Sequence, residues 1–183
     1  MENGMMELKK ADASAHRRIR RLYKEAFPRE ERAPYFFLKW RAKQDRADFF
    51  SLNAAGEWVG MAYVLRKGDL AYLFYLAIDR QKRGQGFGTQ AIEALKKRYQ
   101  GARFFLALEM LDQGADNYAQ RVRRHDFYLH CGLVDLPYRI KEANVVFDIM
   151  GTGGKVEPEE YKALVDEWMG FRRRLIDMRI IKD

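Results

Sequence analysis

Apolar residues fall at helical spacing in some stretches of the chain and in β-rich runs in others, and the changes from one to the other mark out an alternating series of elements. "MELKKA" (6–11) reads as a short first strand. Behind it, Ile19, Leu22, Tyr23 and Phe27 stand at helical spacing after an N-cap at Asp12 or Ser14, and Pro28 ends that helix. Helical character resumes after Pro34, with Phe37, Leu38, Trp40 and Arg41 as a mixed face. Three β-rich runs follow at 48–54, 57–67 and 69–79, separated by Ala-Gly and Lys-Gly turn signals, which predicts an antiparallel meander.

A glycine-bearing segment, "QKRGQGFG" (81–88), then opens into an amphipathic helix with Phe87, Ile92, Leu95 and Tyr99 facing inward. Lys96, Lys97 and Arg98 occupy its last turn, where cations suit the helix dipole, and Gly101 supplies the stop. "RFFLALEM" (103–110) is a short apolar strand. Strand, loop, helix and strand make a βαβ crossover, so the strands at 70–79 and 103–110 are expected to run parallel. A further helix is read at 116–132, and an antiparallel pair at "LVDLPYRI" and "NVVFDIMG" (144–151). A last helix starts at Pro158 with acids in its first turn, and the pattern beyond Phe171 decides nothing.

Composition narrows the classes. At 183 residues and 48% apolar content the chain can bury one sizeable core, which favours one domain. No apolar run reaches bilayer length and the start has no apolar signal segment, so a soluble, cytoplasmic protein is expected, with no membrane partner. The one cysteine, Cys131, has no intrachain partner, and His16, His125 and His130 lack zinc spacing, so neither a disulfide nor a metal is expected. The net charge of +8 points to an anionic partner: nucleic acid, an acidic membrane surface or a phosphorylated small molecule. Basic residues gather at 16–24, 81–86, 121–125 and 171–175. The first and last of these read as solvated helix faces, whereas the middle two stand closer to the glycine segment. No zinc-finger spacing or RRM-type aromatic motif accompanies the charge, so nucleic acid is not the expected partner.

The glycines can be tested against known phosphate cradles. A Walker A loop needs G-x-x-x-x-G-K-[ST], but Thr89 stands where its second glycine belongs and no lysine follows. A dinucleotide fingerprint would also need glycine at Thr89, although Glu109 lies at about the right distance for a ribose-binding acid. The order Arg83-Gly84-Gln85-Gly86-Phe87-Gly88, behind a strand ending Leu76-Ala77-Ile78-Asp79, instead resembles the [RQ]-x-x-G-x-[GA] signature of the GNAT superfamily of acyl-CoA N-acyltransferases. A second block, with Phe127, Tyr128 and Gly132 in place and Leu133 where phenylalanine is usual, resembles that superfamily's F-Y-x-x-x-G-F segment. The physics of the first block agrees. Glycines let backbone N–H groups approach a pyrophosphate, and the following helix N-terminus adds partial positive charge.

The resemblance covers roughly residues 5–151. It implies an α/β (α+β) fold: a single GNAT-like domain over 1–151 with a mixed, mostly antiparallel sheet and helices on both faces, and a helical extension over 152–183 packed on the same domain. It also implies acetyl-CoA as co-substrate and a primary amine, small or protein-borne, as acceptor. Leu76, Ala77 and Ile78 would pair with the pantetheine arm through their backbone, and Arg83, Gly84, Gln85, Gly86, Phe87, Gly88 and Thr89 would hold the pyrophosphate. Tyr128 would be the acid that protonates the departing thiolate, a role a phenol can fill at neutral pH.

Two departures from the family pattern matter. The glutamate that many members carry just ahead of Leu-Ala-Ile is Tyr75 here, which leaves Glu109 as the nearest alternative base. The rival reading of Glu109 is a structural carboxylate paired with Arg121 or Arg124. The asparagine often found seven residues before the tyrosine is Arg121, which could serve a phosphate instead. The family builds its acceptor pocket between the first two helices, here 26–37, where Glu30 and Glu31 would suit a cationic amine and Tyr35 and Phe36 would wall it. Three other classes stay open: a non-catalytic acyl-CoA sensor, a nucleic-acid binder and a dinucleotide-dependent enzyme. A homodimer is left open as well.

Overall fold

The computed structural model describes residues 5–142, 145–170 and 178–182, and divides into two compact units, Met1–Arg66 with Leu73–Gln100, and Lys67–Tyr72 with Gly101–Asp183. Among the described residues the elements are five α-helices and an eight-stranded mixed sheet. No helix among the described residues is long and apolar enough to cross a membrane.

The first unit contains β1 (Glu7–Lys10), α1 (Ala15–Ala26), α2 (Tyr35–Lys43), β2 (Ala47–Ala54), β3 (Glu57–Lys67), most of β4 (Leu70–Ile78) and α3 (Phe87–Arg98). Strands β1 to β4 are neighbours in sequence order. β1 and β2 pair antiparallel, as do β2 and β3. The β2–β3 hairpin turns on Ala55 and Gly56, both at positive φ, the conformation that a two-residue turn demands and that glycine adopts without strain. Asp12 starts α1 by accepting the Ala15 N–H at 2.8 Å, and Ser14 Oγ donates to the same carboxylate oxygen. The buried stripe Ile19, Leu22 and Tyr23 turns inward from α1, while Arg17, Arg18, Arg20, Arg21 and Lys24 stay exposed. Inside the sheet, Asp48 is buried but paired, with Arg66 at 2.8 Å and with the Tyr99 hydroxyl at 2.6 Å, which offsets the cost of burying a carboxylate. On α3, Ala91, Ile92 and Leu95 are buried, and Phe87 and Tyr99 are half-buried.

The second unit contains the start of β4, then β5 (Arg103–Glu109), α4 (Tyr118–His130), β6 (Val134–Glu142), β7 (Val145–Thr152), α5 (Pro158–Met169) and β8 (Met178–Lys182), with strand order β4-β5-β7-β6-β8. Leu70, Ala71 and Tyr72 of β4 pair with Arg103, Phe104 and Phe105 of β5 in parallel, as the crossover requires. The other ladders, β5–β7, β6–β7 and β6–β8, are antiparallel. α5 opens with a capping box, Glu157 against Glu160, and Pro158 at its start. Of the extension expected from 152 onward, Pro158–Met169 is thus helical and Met178–Lys182 is a strand beside β6; the basic cluster at 171–175 lies outside the described residues. Arg103 joins three segments here. Its guanidinium donates to both oxygens of Asp69 at 2.7 and 2.8 Å, to both oxygens of Glu160 at 2.6 and 2.8 Å, and to the Lys155 carbonyl at 2.9 Å.

Candidate functional site

The glycine segment sits in the first unit, between β4 and α3. Asp79 accepts the Gln81 N–H and starts a short 3₁₀ turn, Arg80–Lys82. Arg83 then reaches back, its Nε donating to the Ile78 carbonyl at 3.1 Å, so its side chain braces the loop against the strand end. Gly84 and Gly86 have φ of +74° and +81°, and Gly86 forms the N-cap of α3 in the left-handed region. A Cβ at either glycine would meet nothing within 4 Å. These glycines therefore serve backbone conformation and leave open space above the loop. Among the described residues no backbone N–H from Gly84 to Thr89 has an intrachain acceptor, and the last of them open α3, where the helix dipole adds positive potential. A run of N–H donors without intrachain acceptors beside a helix N-terminus suits an anion of pyrophosphate size.

The strand that leads into the loop is held from its β3 side. The Asp79 N–H donates to the Val59 carbonyl at 2.8 Å, and Gly60 lies so near β4 that a Cβ there would stand 2.3 Å from the Ala77 oxygen. The parallel ladder with β5 ends at Tyr72, before Leu76, Ala77 and Ile78 are reached.

Tyr75 has a use that the sequence does not announce. Its ring packs against Tyr23 and Phe27, with centroids 5.0 and 4.7 Å away. Its hydroxyl donates to the Glu31 carbonyl at 2.7 Å and accepts the Ala33 N–H at 3.1 Å. The position that a glutamate often takes in this pattern is here a clasp that fastens the α1–α2 connection onto β4. Of the residues expected to wall an acceptor, Tyr35 is held by its hydroxyl to His16, 2.8 Å from Nδ1, and Phe36 is 66% exposed. The Glu30 side chain lies outside the described residues.

Glu109 and Tyr128 both belong to the second unit. Glu109 ends β5 and pairs with Arg121 at 2.9 Å. The same guanidinium donates to the Asn117 Oδ1 and the Met110 carbonyl, each at 2.8 Å, so Arg121 ties α4 to the end of β5 and is already committed to acceptors within the chain. Tyr128 lies on α4 and is 8% exposed. Burial pushes its phenol up to about 12, with Arg124 opposing and Cys131 adding to the rise, so it is protonated at neutral pH. The second block also gains a structural reason: Gly132, φ +81°, closes α4, and the Leu133 N–H returns to the Tyr128 carbonyl at 3.1 Å.

The residues read from the sequence are thus divided between the units, with 76–78 and 83–89 in the first, and Glu109 and Tyr128 in the second. The family model of the acetyltransferase (GNAT) family matches residues 16–132, more than half of the chain. The chain belongs to the GNAT acetyltransferase family. Among solved structures it is similar to a putative GNAT-family acetyltransferase from Bacteroides thetaiotaomicron, with TM-score 0.68 and 15% identity over 91% of this chain and 96% of that one. It is also similar to the ribosomal-protein-S18-alanine N-acetyltransferase of Escherichia coli, with TM-score 0.57 and 17% identity over 84% and 97% of the two chains. A Bacillus subtilis acetyltransferase in complex with CoA gives TM-score 0.56 and 14% identity over 82% and 97%. No curated protein matches. At these identities the structural likeness concerns the fold, which is the mixed α/β arrangement of the GNAT family.

Proposed function

We propose that this protein transfers the acetyl group of acetyl-CoA to a primary amine by direct attack. The observation that carries the reading is the loop from Gly84 to Thr89, whose N–H groups lack intrachain acceptors at the start of α3, in a chain of an acetyltransferase family. Acetyl-CoA, when bound, supplies the acetyl thioester that the amine attacks. The chain's own contributions are then as follows. Gly84, Gln85, Gly86, Phe87, Gly88 and Thr89 hold the pyrophosphate with backbone donors, while Arg83 braces the loop from below. Leu76, Ala77 and Ile78 offer backbone groups to the pantetheine arm. Tyr128 Oη holds the proton that the departing thiolate needs, and its buried, protonated phenol supports that role.

Glu109 is better explained by its pairing with Arg121 than by a role as base, and the amine's proton is assigned to a solvent relay. The Tyr75 clasp positions the acceptor-side loop, residues 26–37. The sequence-based division at 151, a cytoplasmic location and a small or protein-borne amine as acceptor complete the proposal.

The test is a pair of measurements. Acetyl-CoA at a hundred times its Kd should raise stability by about 2.7 kcal/mol in a thermal-shift assay, and absence of any shift would overturn the reading. Tyr128→Phe should then lower kcat by about tenfold to a thousandfold, leaving acetyl-CoA affinity and Tm nearly unchanged. Glu109→Gln should lower Tm without changing the shape of the pH–rate profile. A profile altered at low pH would return Glu109 to the role of base. Binding of acetyl-CoA with no turnover across a broad amine panel would instead favour a non-catalytic sensor.

A further inference from the structure

Near the start of β3, Gly60 faces the end of β4 at a distance that leaves no room for a side chain. A Cβ at Gly60 would stand 2.3 Å from the Ala77 oxygen, 3.2 Å from the Ala77 carbonyl carbon and 3.2 Å from the Ile78 Cα. We propose that Gly60 is a positioning residue for acetyl transfer: its missing side chain seats the Ala77–Ile78 peptide so that the Ile78 N–H is held toward the pantetheine arm. The inference rests on the acetyl-transfer reading above and adds to it a residue that lies outside the glycine segment and the Phe-Tyr block.

The distances give the peptide its direction. The Ala77 oxygen is nearer to the Cβ position than its carbon by about 0.9 Å, most of a C=O bond of about 1.2 Å, so the carbonyl points at Gly60. The peptide is trans, and in a trans peptide the N–H and C=O point in opposite directions. The Ile78 N–H therefore points away from Gly60. The register with β5 ends at Tyr72, so this N–H stands beyond the parallel ladder, and the Ile78 carbonyl is taken by Arg83 Nε at 3.1 Å.

β3 serves as the fixed side of this contact. Gly60 is paired with Leu52 of β2, and Leu52, Val59 and Met61 are all fully buried. The Val59 carbonyl accepts the Asp79 N–H at 2.8 Å, and Glu57 forms an ion pair with Lys82, so the same few residues of β3 hold the end of β4 and the turn that follows it. Gly60 is not among the glycines at positive φ, so its use here is close approach and not backbone conformation. An alanine at 60 would fit its own backbone and meet its cost at Ala77. Ordinary contact begins near 3.4 Å, and reaching it from 2.3 Å moves the Ala77–Ile78 peptide by about 1 Å. The sequence gives no sign of this, because Gly60 lies in a different strand from the backbone that it admits.

The experiment titrates the full chain with two ligands by calorimetry: acetyl-CoA, and ADP, which carries a pyrophosphate without a pantetheine arm. In Gly60→Ala the glycine loop keeps its own residues, so ADP affinity should stay within about twofold while acetyl-CoA affinity falls about tenfold, the equivalent of one strong backbone hydrogen bond. The variant's kcat should fall about 100-fold, the usual consequence of a misplacement near 1 Å. Thermal melting reports whether the variant is folded. Amide exchange on the unaltered protein is the second measurement and decides alone if Gly60→Ala does not fold. There the Ile78 N–H should exchange about fivefold or more slowly under saturating acetyl-CoA than under saturating ADP. An equal loss of both ligands would reduce Gly60 to strand packing and overturn the proposal. Unchanged acetyl-CoA affinity and kcat in a folded variant would overturn it too, as would Ile78 exchange that is no slower with acetyl-CoA. Failure of the unaltered protein to bind acetyl-CoA would be a different result, since it would overturn the acetyl-transfer reading itself and this inference with it.

Discussion

Replacing Tyr75 by phenylalanine removes one oxygen and keeps the ring in place against Tyr23 and Phe27. The loss includes the donation to the Glu31 carbonyl at 2.7 Å and the acceptance of the Ala33 N–H at 3.1 Å. Each such neutral hydrogen bond contributes about 1 kcal/mol net, and water reaches the half-buried loop and replaces part of both, so the expected loss is about 1–2 kcal/mol. In a domain of this size that lowers Tm by about 2–8 °C. The more telling readout is local. The Ala33 amide should exchange with solvent about 5–30-fold faster in the variant when the loop opens independently of the core. If the loop also forms the acceptor side of the site, KM for the amine rises while acetyl-CoA affinity is unchanged. Unchanged protection at Ala33 would refute the clasp, whatever happened to Tm.

Arg103→Lys keeps the charge but replaces five forked donors by three on a point charge, and should cost about 2–3 kcal/mol, read as a fall in Tm; an unchanged Tm would show that the contacts to Asp69 and Glu160 are dispensable. Gly86→Val meets no steric obstacle, because a Cβ there has no neighbour within 4 Å, so its cost to the fold is the strain of a branched residue at φ +81°, about 1–2 kcal/mol. It should nevertheless abolish most acetyl-CoA binding by calorimetry, and normal binding would reduce the loop to a turn. His16 is held below its usual 6.5, first by burial and then by Lys39, so the unfolded chain binds more protons in the interval just below 6.5. Stability should therefore fall as pH drops through that interval and level off below the folded-state pKa. His16→Asn should flatten this part of a denaturation series taken from pH 7 to 5, and parallel curves would exclude the effect.

Much of the local structure was legible because it depends on neighbours in sequence. The β-rich runs of β2, β3 and β4, the helical stripe of Ile19, Leu22 and Tyr23, the Pro158 start of α5 and the Gly132 stop of α4 are each decided within a few residues. The same holds for the glycine loop, whose conformation is set by Gly84 and Gly86 themselves and whose unsatisfied donors come from the helix that directly follows. The parallel pairing of β4 with β5 was also readable, since a crossover of this length leaves little other choice.

Side chains that act across long separations in sequence were not legible. Tyr75 looked like the absence of a glutamate, and only the approach of residues 31–33, more than forty positions away, turns its hydroxyl into a clasp. Glu109 showed no partner in its own segment, and only the approach of α4 brings Arg121 to its carboxylate. The basic run on α1 read as a solvated face, which it is along α1 alone; α2 converts it into one wall of a groove. In β8, five residues with no decisive pattern become a strand because β6 offers them a hydrogen-bonding edge. Backbone periodicity is a property of short segments, but the worth of a hydroxyl, a carboxylate or a cation depends on which distant group shares its space, and that is set only when the chain folds.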